Sequence, residues 1–281
     1  MSDHDEWSDG GGTLVMGRTA IVTGVSGGIG TETASLLLKS GFTVIGLDKN
    51  PRSNDIGPLP DAHYYHLKAD ITDEDSMRQA CAEIQEGYRE LKAFAAPSHA
   101  ILISGGAQSE EVDGDPLDLD LKAFRESVDV NLCGQYICIK HFAPLFESAN
   151  VPTPDPAMAV DKSITMVSSI NSVGDFGYPA YSAAKAGLTG LTKSLAVPLG
   201  KRGIRINAVA FGTVRTDYVE GLHGTDSNHF SRLEKLSALG GTSTSAEAAQ
   251  VLLSMTQLSS VTGMVITADR GQSVPGNHHR L

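Results

Sequence analysis

Several scarcities in this chain of 281 residues narrow what it can do. Cysteine is rare: Cys81, Cys133 and Cys138 are the only three, with no Cys-x-x-Cys and no even set at secreted spacing. That points away from a disulfide framework and from a zinc site. No apolar run nears the ~20 residues that span a bilayer, so no membrane partner is expected. Positive charge is in deficit, with 22 Lys and Arg against 33 Asp and Glu and a net charge of -11. This balance argues against nucleic acid or an anionic lipid surface as the partner. The first residues are acidic and glycine-rich where a secretory leader would be basic and then apolar, so the expected location is cytoplasmic.

The composition that is present, 41% hydrophobic and 20% charged, suits one large globular domain. Residues 1–16 and 273–281 lack periodicity and are expected to be mobile tails around a domain of residues 17–272. Within it, the stretch Ser168-Ser169-Ile170-Asn171 through Tyr181-Ser182-Ala183-Ala184-Lys185 gathers an alcohol, a phenol and an ammonium. Tyr181 and Lys185 are four apart and share a helix face. Such a trio suits proton transfer to or from an alcohol. A phenol titrates near ~10, and poising it near neutrality requires about 4 kcal/mol. A lysine cation at ~4 Å in an effective dielectric of ~20 supplies about that much. Taken alone, the pair is also what an ordinary amphipathic helix surface carries.

Other elements surround it in order. Thr19-Ala20-Ile21-Val22 reads as a buried strand that runs into Gly24-Val25-Ser26-Gly27-Gly28-Ile29-Gly30 and then a helix. Strand, glycine turn and helix form the order a dinucleotide phosphate site requires, because the backbone must approach the anion and offer it free amides. A second strand, Phe42 to Asp48, ends in a carboxylate placed to accept from a ribose diol and to repel a 2′-phosphate, which favours NAD, with NADP left open by Lys49 and Arg52. A third strand is expected from Tyr64 to Asp70, with a helix starting at Thr72. A fourth, Ala100 to Ile103, precedes the small-residue turn Ser104-Gly105-Gly106-Ala107, which lets a flat ring approach the sheet edge. A helix from about Leu121 to Ser148 carries Asn131 among apolar neighbours, as a satisfied structural residue or as part of a relay. His63 and His66 lack a third ligand, and no metal is expected.

The segment 150–156, with three prolines, reads as a surface loop before a strand at Ile164. A sixth strand, Ile204 to Ala210, leads to Phe211-Gly212-Thr213-Val214-Arg215-Thr216. Residues 217–241 show no core pattern and suit a substrate lid. A helix from Ser245 to Met255 and a last strand from Met264 to Thr267 complete an alternating α/β pattern, which implies a doubly wound parallel sheet.

The glycine motif, Asp48, Asp70-Ile71, Asn131, the serine pair, Tyr181-x-x-x-Lys185, Arg205-Ile206-Asn207 and Gly263 resemble, in order and spacing, the single-domain branch of the short-chain dehydrogenase/reductase family. The resemblance spans roughly residues 18–272. It implies a Rossmann-type fold and an NAD(H)-dependent oxidoreductase interconverting a secondary alcohol and a ketone or aldehyde. By the same resemblance Tyr181 is the acid/base, Lys185 lowers its pKa and binds the nicotinamide ribose, a serine orients the substrate oxygen and Asn131 holds a relay water. Gly24, Ser26, Gly28, Ile29, Gly30, Asp48 and Gly105 would line the cofactor. Asp70 and Ile71 would contact adenine, and Val214 and Thr216 the carboxamide and phosphate ends. A homo-oligomer, dimer or tetramer, is also implied. The alternatives are an NADP-dependent 3-oxoacyl or carbonyl reductase and a catalytically silent dinucleotide-binding regulator.

Three departures stand out. Ser104-Gly105-Gly106-Ala107 replaces the family's Asn-Asn-Ala-Gly turn, so its sheet-stabilising side-chain bonds must be replaced or lost. Phe211-Gly212 stands for Pro-Gly. The serine spacing is ambiguous: a distance of 13 to the tyrosine selects Ser168, whereas the strand register selects Ser169, the residue expected here.

Overall fold

The computed structural model describes residues 17–51, 63–111, 115–147, 149, 162–173, 178–222 and 228–274. The two expected tails up to residue 16 and beyond 274, and the three-proline loop, lie outside them. Nine strands are described: β1 (Arg18–Thr23), β2 (Phe42–Asp48), β3 (Tyr64–Lys68), β4 (Pro97–Leu102), β5 (Ser163–Ser169), β6 (Arg205–Phe211), β7 (Val214–Arg215), β8 (Ser243–Thr244) and β9 (Val265–Ala268). Seven form one parallel sheet in the order β3-β2-β1-β4-β5-β6-β9, and β7 pairs with β8 apart from it. The strands are rich in Val, Ile and Ala and buried on both faces, as parallel strands with helices on either side must be.

Helices α1 (Gly28–Lys39) and α8 (Ser245–Gln257) cover one face, packing Leu37, Leu252 and Met255 on Val22, Val44 and Val209. Helices α2 (Glu74–Arg89), α4 (Gly134–Glu147) and α5 (Pro179–Gly200) cover the other through Met77, Ile84, Phe142, Phe146 and Leu188. The strand order switches direction between β1 and β4 while the strands stay parallel, which opens a crevice at their carboxyl ends.

Local chemistry moves several expected boundaries. β3 stops at Lys68 because Asp70 turns to accept from the Thr72 amide and hydroxyl at 2.9 and 2.7 Å. The following helix is capped by Asp73, not Thr72, through the amides of Asp75 and Ser76. β4 begins at Pro97, earlier than expected, and β9 begins one residue later, at Val265. The single helix expected from Leu121 is α3 (Leu121–Val128), a five-residue π segment (Asp129–Cys133) and then α4. Asn131 sits in that π segment and donates to the carbonyls of Ser127 and Gly106, at 3.0 and 2.9 Å. A widened turn at such a residue is common beside functional sites. The expected lid contains two short helices, α6 (Asp217–Leu222) and α7 (His229–Leu236).

Candidate active site

The loops that follow β1 to β6 wall a cleft of about 640 Å³. At one end lies the start of α1. Its N-cap is Gly27, which has no side-chain cap, and no acidic residue occupies its first turn. The amides of Gly28, Ile29 and Gly30 have no carbonyl within the helix to bond, so the positive end of α1 faces the cleft. Gly30 makes the close approach possible: a Cβ there would lie 2.0 Å from the Gly24 oxygen. Asp48 lines the same end. Its two oxygens accept from the Ser26 amide at 3.1 Å and the Asn50 amide at 2.9 Å, tying the glycine loop to the end of β2. An open helix N-terminus beside a carboxylate fits a dinucleotide's pyrophosphate and ribose.

Of the expected cofactor residues, Gly24, Gly28, Ile29, Gly30, Asp48, Asp70, Ile71, Gly105, Val214 and Thr216 all line the cleft. Ser26 is not among the lining residues, and its hydroxyl donates to the Pro51 carbonyl at 2.8 Å. The His66 ring is engaged by Tyr64 and the Asn50 carbonyl, at 3.2 and 3.0 Å. Among the described residues no group of three or more His, Cys, Asp or Glu could hold a metal.

The unusual turn after β4 has its own support. Thr23 accepts from the Ile103 amide at 3.2 Å, Gln135 donates to the Ser104 carbonyl at 2.7 Å, and Asn131 holds Gly106. Bonds from three other elements thus stand in for side chains the turn lacks. A Cβ on Gly105 would fall 2.4 Å from Asn131 Oδ1, and one on Gly106 would fall 2.7 Å from the Tyr218 ring. The two glycines therefore answer to neighbours. Asn131 is fully buried behind this turn, and its Oδ1 has no hydrogen-bond partner among the described residues.

At the other end stand Tyr181 and Lys185 on α5 and the serine pair at the end of β5. Ser168 turns its hydroxyl to the Lys185 carbonyl at 3.4 Å, and both serines line the cleft. Ser169 donates to Asn171 Oδ1 at 2.9 Å and accepts from the Asn171 amide at 3.2 Å. The Lys185 ammonium lies 5.4 Å from the Tyr181 ring centroid and donates to the Val167 carbonyl at 2.8 Å.

Burial dominates the charge state here. It pushes the Tyr181 phenol up to about 12, with the Ser169 hydrogen bond pulling the other way and Tyr218 and Glu111 adding to the rise. It pulls Lys185 down to about 7. The expectation that the lysine alone poises the phenol is not met: burial outweighs it, and Lys185 is not among the causes of the Tyr181 shift. Both groups are desolvated, and each charged form is disfavoured.

Three residues at this end escaped the motif reading. Buried Glu111 accepts from the Ala180 and Tyr181 amides, both at 3.0 Å. Tyr218 on α6 donates to the Ala107 carbonyl at 2.5 Å. Gln272, past β9, accepts from the Thr213 amide at 3.1 Å and packs against Gly212, the residue of the altered Phe-Gly pair. Each works through a backbone group far away in sequence, and no local pattern marks it.

The comparisons with known proteins agree with this geometry. The family model described as Enoyl-(Acyl carrier protein) reductase matches residues 24–273. A cis-4-hydroxycyclohexanecarboxylate dehydrogenase of Sinomonas cyclohexanicum is 33% identical over 259 residues, covering 90% of this chain and 96% of its own. A 2,5-dichloro-2,5-cyclohexadiene-1,4-diol dehydrogenase of Sphingobium indicum is 29% identical over 262 residues, covering 91% and 96%. A solved oxidoreductase of the short-chain dehydrogenase/reductase family from Burkholderia thailandensis superposes with a TM-score of 0.74 at 27% identity, over 91% of this chain and 92% of that one. With this much of the chain matched, the protein belongs to the short-chain dehydrogenase/reductase family of oxidoreductases.

Proposed function

We propose that the protein is an NAD(H)-dependent dehydrogenase that interconverts a neutral, ring-sized secondary alcohol and its ketone. One observation carries this reading: a single cleft joins the open N-terminus of α1 and Asp48 to Tyr181, Ser169 and Lys185. A nicotinamide bound there supplies the hydride acceptor or donor at its ring. Ser169 donates to the substrate oxygen and fixes the carbinol carbon. Tyr181 accepts the hydroxyl proton during oxidation and returns it during reduction. Lys185, held by the Val167 carbonyl, keeps a positive charge beside the phenolate as it forms. Asn131 holds a water of the proton relay, while Gly105, Val214 and Thr216 shape the nicotinamide and phosphate contacts.

The preference for a neutral substrate follows from the walls. Among the described residues lining the cleft, the only cations are Lys49 and Lys185. Lys49 adjoins Asp48 at the dinucleotide end, and Lys185 belongs to the proton-transfer group. The lid side presents Ile170, Tyr178, Tyr218, Val219, Leu222 and Leu233. Arg215 turns to Glu220 and Glu234, each at 3.6 Å, and stacks on Phe230. Among these described residues a substrate carboxylate would be desolvated without a counter-charge. The ring size is suggested by the named substrates of the two relatives, both substituted six-membered rings.

The test is nicotinamide absorbance with a panel of cyclic alcohols, comparing cyclohexanol with cis-4-hydroxycyclohexanecarboxylate. The neutral alcohol should be favoured by about tenfold or more in kcat/KM, a difference of ~1.4 kcal/mol. Tight NADH binding with no turnover of any alcohol would sink the oxidoreductase reading, and a carboxylate preference would sink the substrate class. Lys49 favours a second reading, NADP, because it lines the cleft beside a carboxylate whose oxygens are already engaged. Comparing NAD and NADP before and after Asp48→Ala decides it. A homodimer or tetramer belongs to the same reading and is measured by light scattering.

A further inference from the structure

The start of α5 has a deficit that its own sequence does not fill. Its N-cap is Tyr178, a left-handed residue at φ 60° with no capping side-chain bond, and Pro179 at the first position has no amide. The next two amides, Ala180 and Tyr181, point out of the helix without carbonyl partners inside it. Both are taken by one oxygen of Glu111, each at 3.0 Å, across 69 and 70 residues of sequence. The second oxygen accepts from the Ser127 hydroxyl at 3.0 Å and the Gln108 amide at 3.4 Å. Glu111 is 7% exposed and Ser127 fully buried, so water is a poor substitute for these partners. A carboxylate at a helix N-terminus is also favoured by the helix dipole.

We propose that Glu111 is a positioning residue, a remote cap that clamps the first turn of α5 and the Tyr181 backbone to the turn after β4 and to α3. The inference rests on the reading of Tyr181 as the acid/base. Its consequence is that one carboxylate registers the proton-transfer residue against the segment that, through Gly105, faces the cofactor end. Among the described residues, the groups facing the Tyr181 phenol are Lys185 from its own helix, Ser169 from β5, Tyr218 from α6 and Glu111 itself, with Glu110 beside Tyr218. Glu111 therefore also contributes a negative charge that opposes phenolate formation.

The experiment compares Glu111→Gln and Glu111→Ala in the full chain. Glutamine keeps an oxygen for the two amides and loses the charge; alanine loses both. Alanine should lower kcat by roughly tenfold to a hundredfold, the scale of a small misplacement of a reacting group, with dinucleotide Kd within about threefold of wild type. Glutamine should recover most of that loss and move the Tyr181 limb of the pH profile to lower pH, because a charge opposing the phenolate is gone. Hydrogen exchange over residues 178–185 should quicken in alanine and stay near wild type in glutamine. An alanine variant with wild-type kcat and exchange, or a glutamine variant whose pH limb does not move, overturns the proposal. Exchange is readable without turnover, so a wild-type protein inactive on every alcohol would defeat the proposed reaction and still leave the clamp to be judged.

Discussion

At the end of the cleft nearest β1, partners are close in the chain: Asp48 reaches the Ser26 amide across 22 residues, and Gly30 lies six residues from the Gly24 oxygen it packs on. At the end nearest α5, Glu111 holds Ala180 across 69 residues and Tyr218 reaches Ala107 across 111. The first end is built from backbone amides and one carboxylate, and it takes its shape from a contiguous strand, turn and helix. The second is built from side chains on four different elements: Tyr181 and Lys185 on α5, Ser169 on β5, Tyr218 on α6 and Glu111 after β4. A site of the first kind is specified by local sequence, whereas one of the second kind exists only once the whole sheet has assembled.

Breaking the local end should have the largest effect. In Gly30→Ala the new methyl would sit 2.0 Å from the Gly24 oxygen, with backbone atoms rather than a flexible side chain in the way. Overpacking of this kind costs about 1–3 kcal/mol or more, and dinucleotide binding should be lost together with part of the thermal stability. Titration with NADH and a melting curve measure both. A variant that binds NADH as wild type does would show that the loop is looser than its packing indicates.

The assembled end can be tested through its buried charge. Lys185 titrates at about 7 in the folded protein against an ordinary 10.5. Between those values the unfolded chain binds more protons, so unfolding free energy rises with pH across that window. Relative to Lys185→Met, wild type should gain a few kcal/mol of stability between about pH 7 and pH 10, and the gap should be flat below pH 7. Denaturant midpoints at a series of pH values read this directly. A pH-independent gap would mean that the lysine is solvated.

The smallest effect belongs to the lid. Tyr218→Phe removes one hydrogen bond, to the Ala107 carbonyl, and keeps the ring on Gly106. A loss of about 0.5–1.5 kcal/mol, or roughly twofold to tenfold in KM with kcat little changed, is expected. An unchanged KM would detach α6 from substrate binding.

This contrast explains what could be read in advance. The alternating strands, the glycine turn and Asp48 follow from short-range periodicity and spacing, and the parallel order of the sheet follows from them. Tyr181 and Lys185 were legible because one helix turn links them. Strand register favours Ser169 over Ser168, and the end of β5 shows Ser168 turned to the Lys185 carbonyl. The π segment at Asp129–Cys133 was not legible, and Asn131 within it bonds a carbonyl 25 residues away. Glu111 carried no signal at all: Ser-Glu-Glu after a glycine turn reads as an exposed loop, and its partners lie on another helix. The Ser-Gly-Gly-Ala turn was visible as a departure, while its reasons, Asn131 under Gly105 and Tyr218 over Gly106, were not.

On the proposed mechanism Tyr181 moves the substrate proton in a cleft whose dinucleotide end is built independently of it. The most direct measurement sets wild type beside Tyr181→Phe, following NADH formation from a neutral cyclic alcohol and, separately, NADH binding by fluorescence. Equal NADH affinity with a loss of about 10²–10⁴ in turnover is the predicted result. Wild-type turnover by Tyr181→Phe would contradict the account.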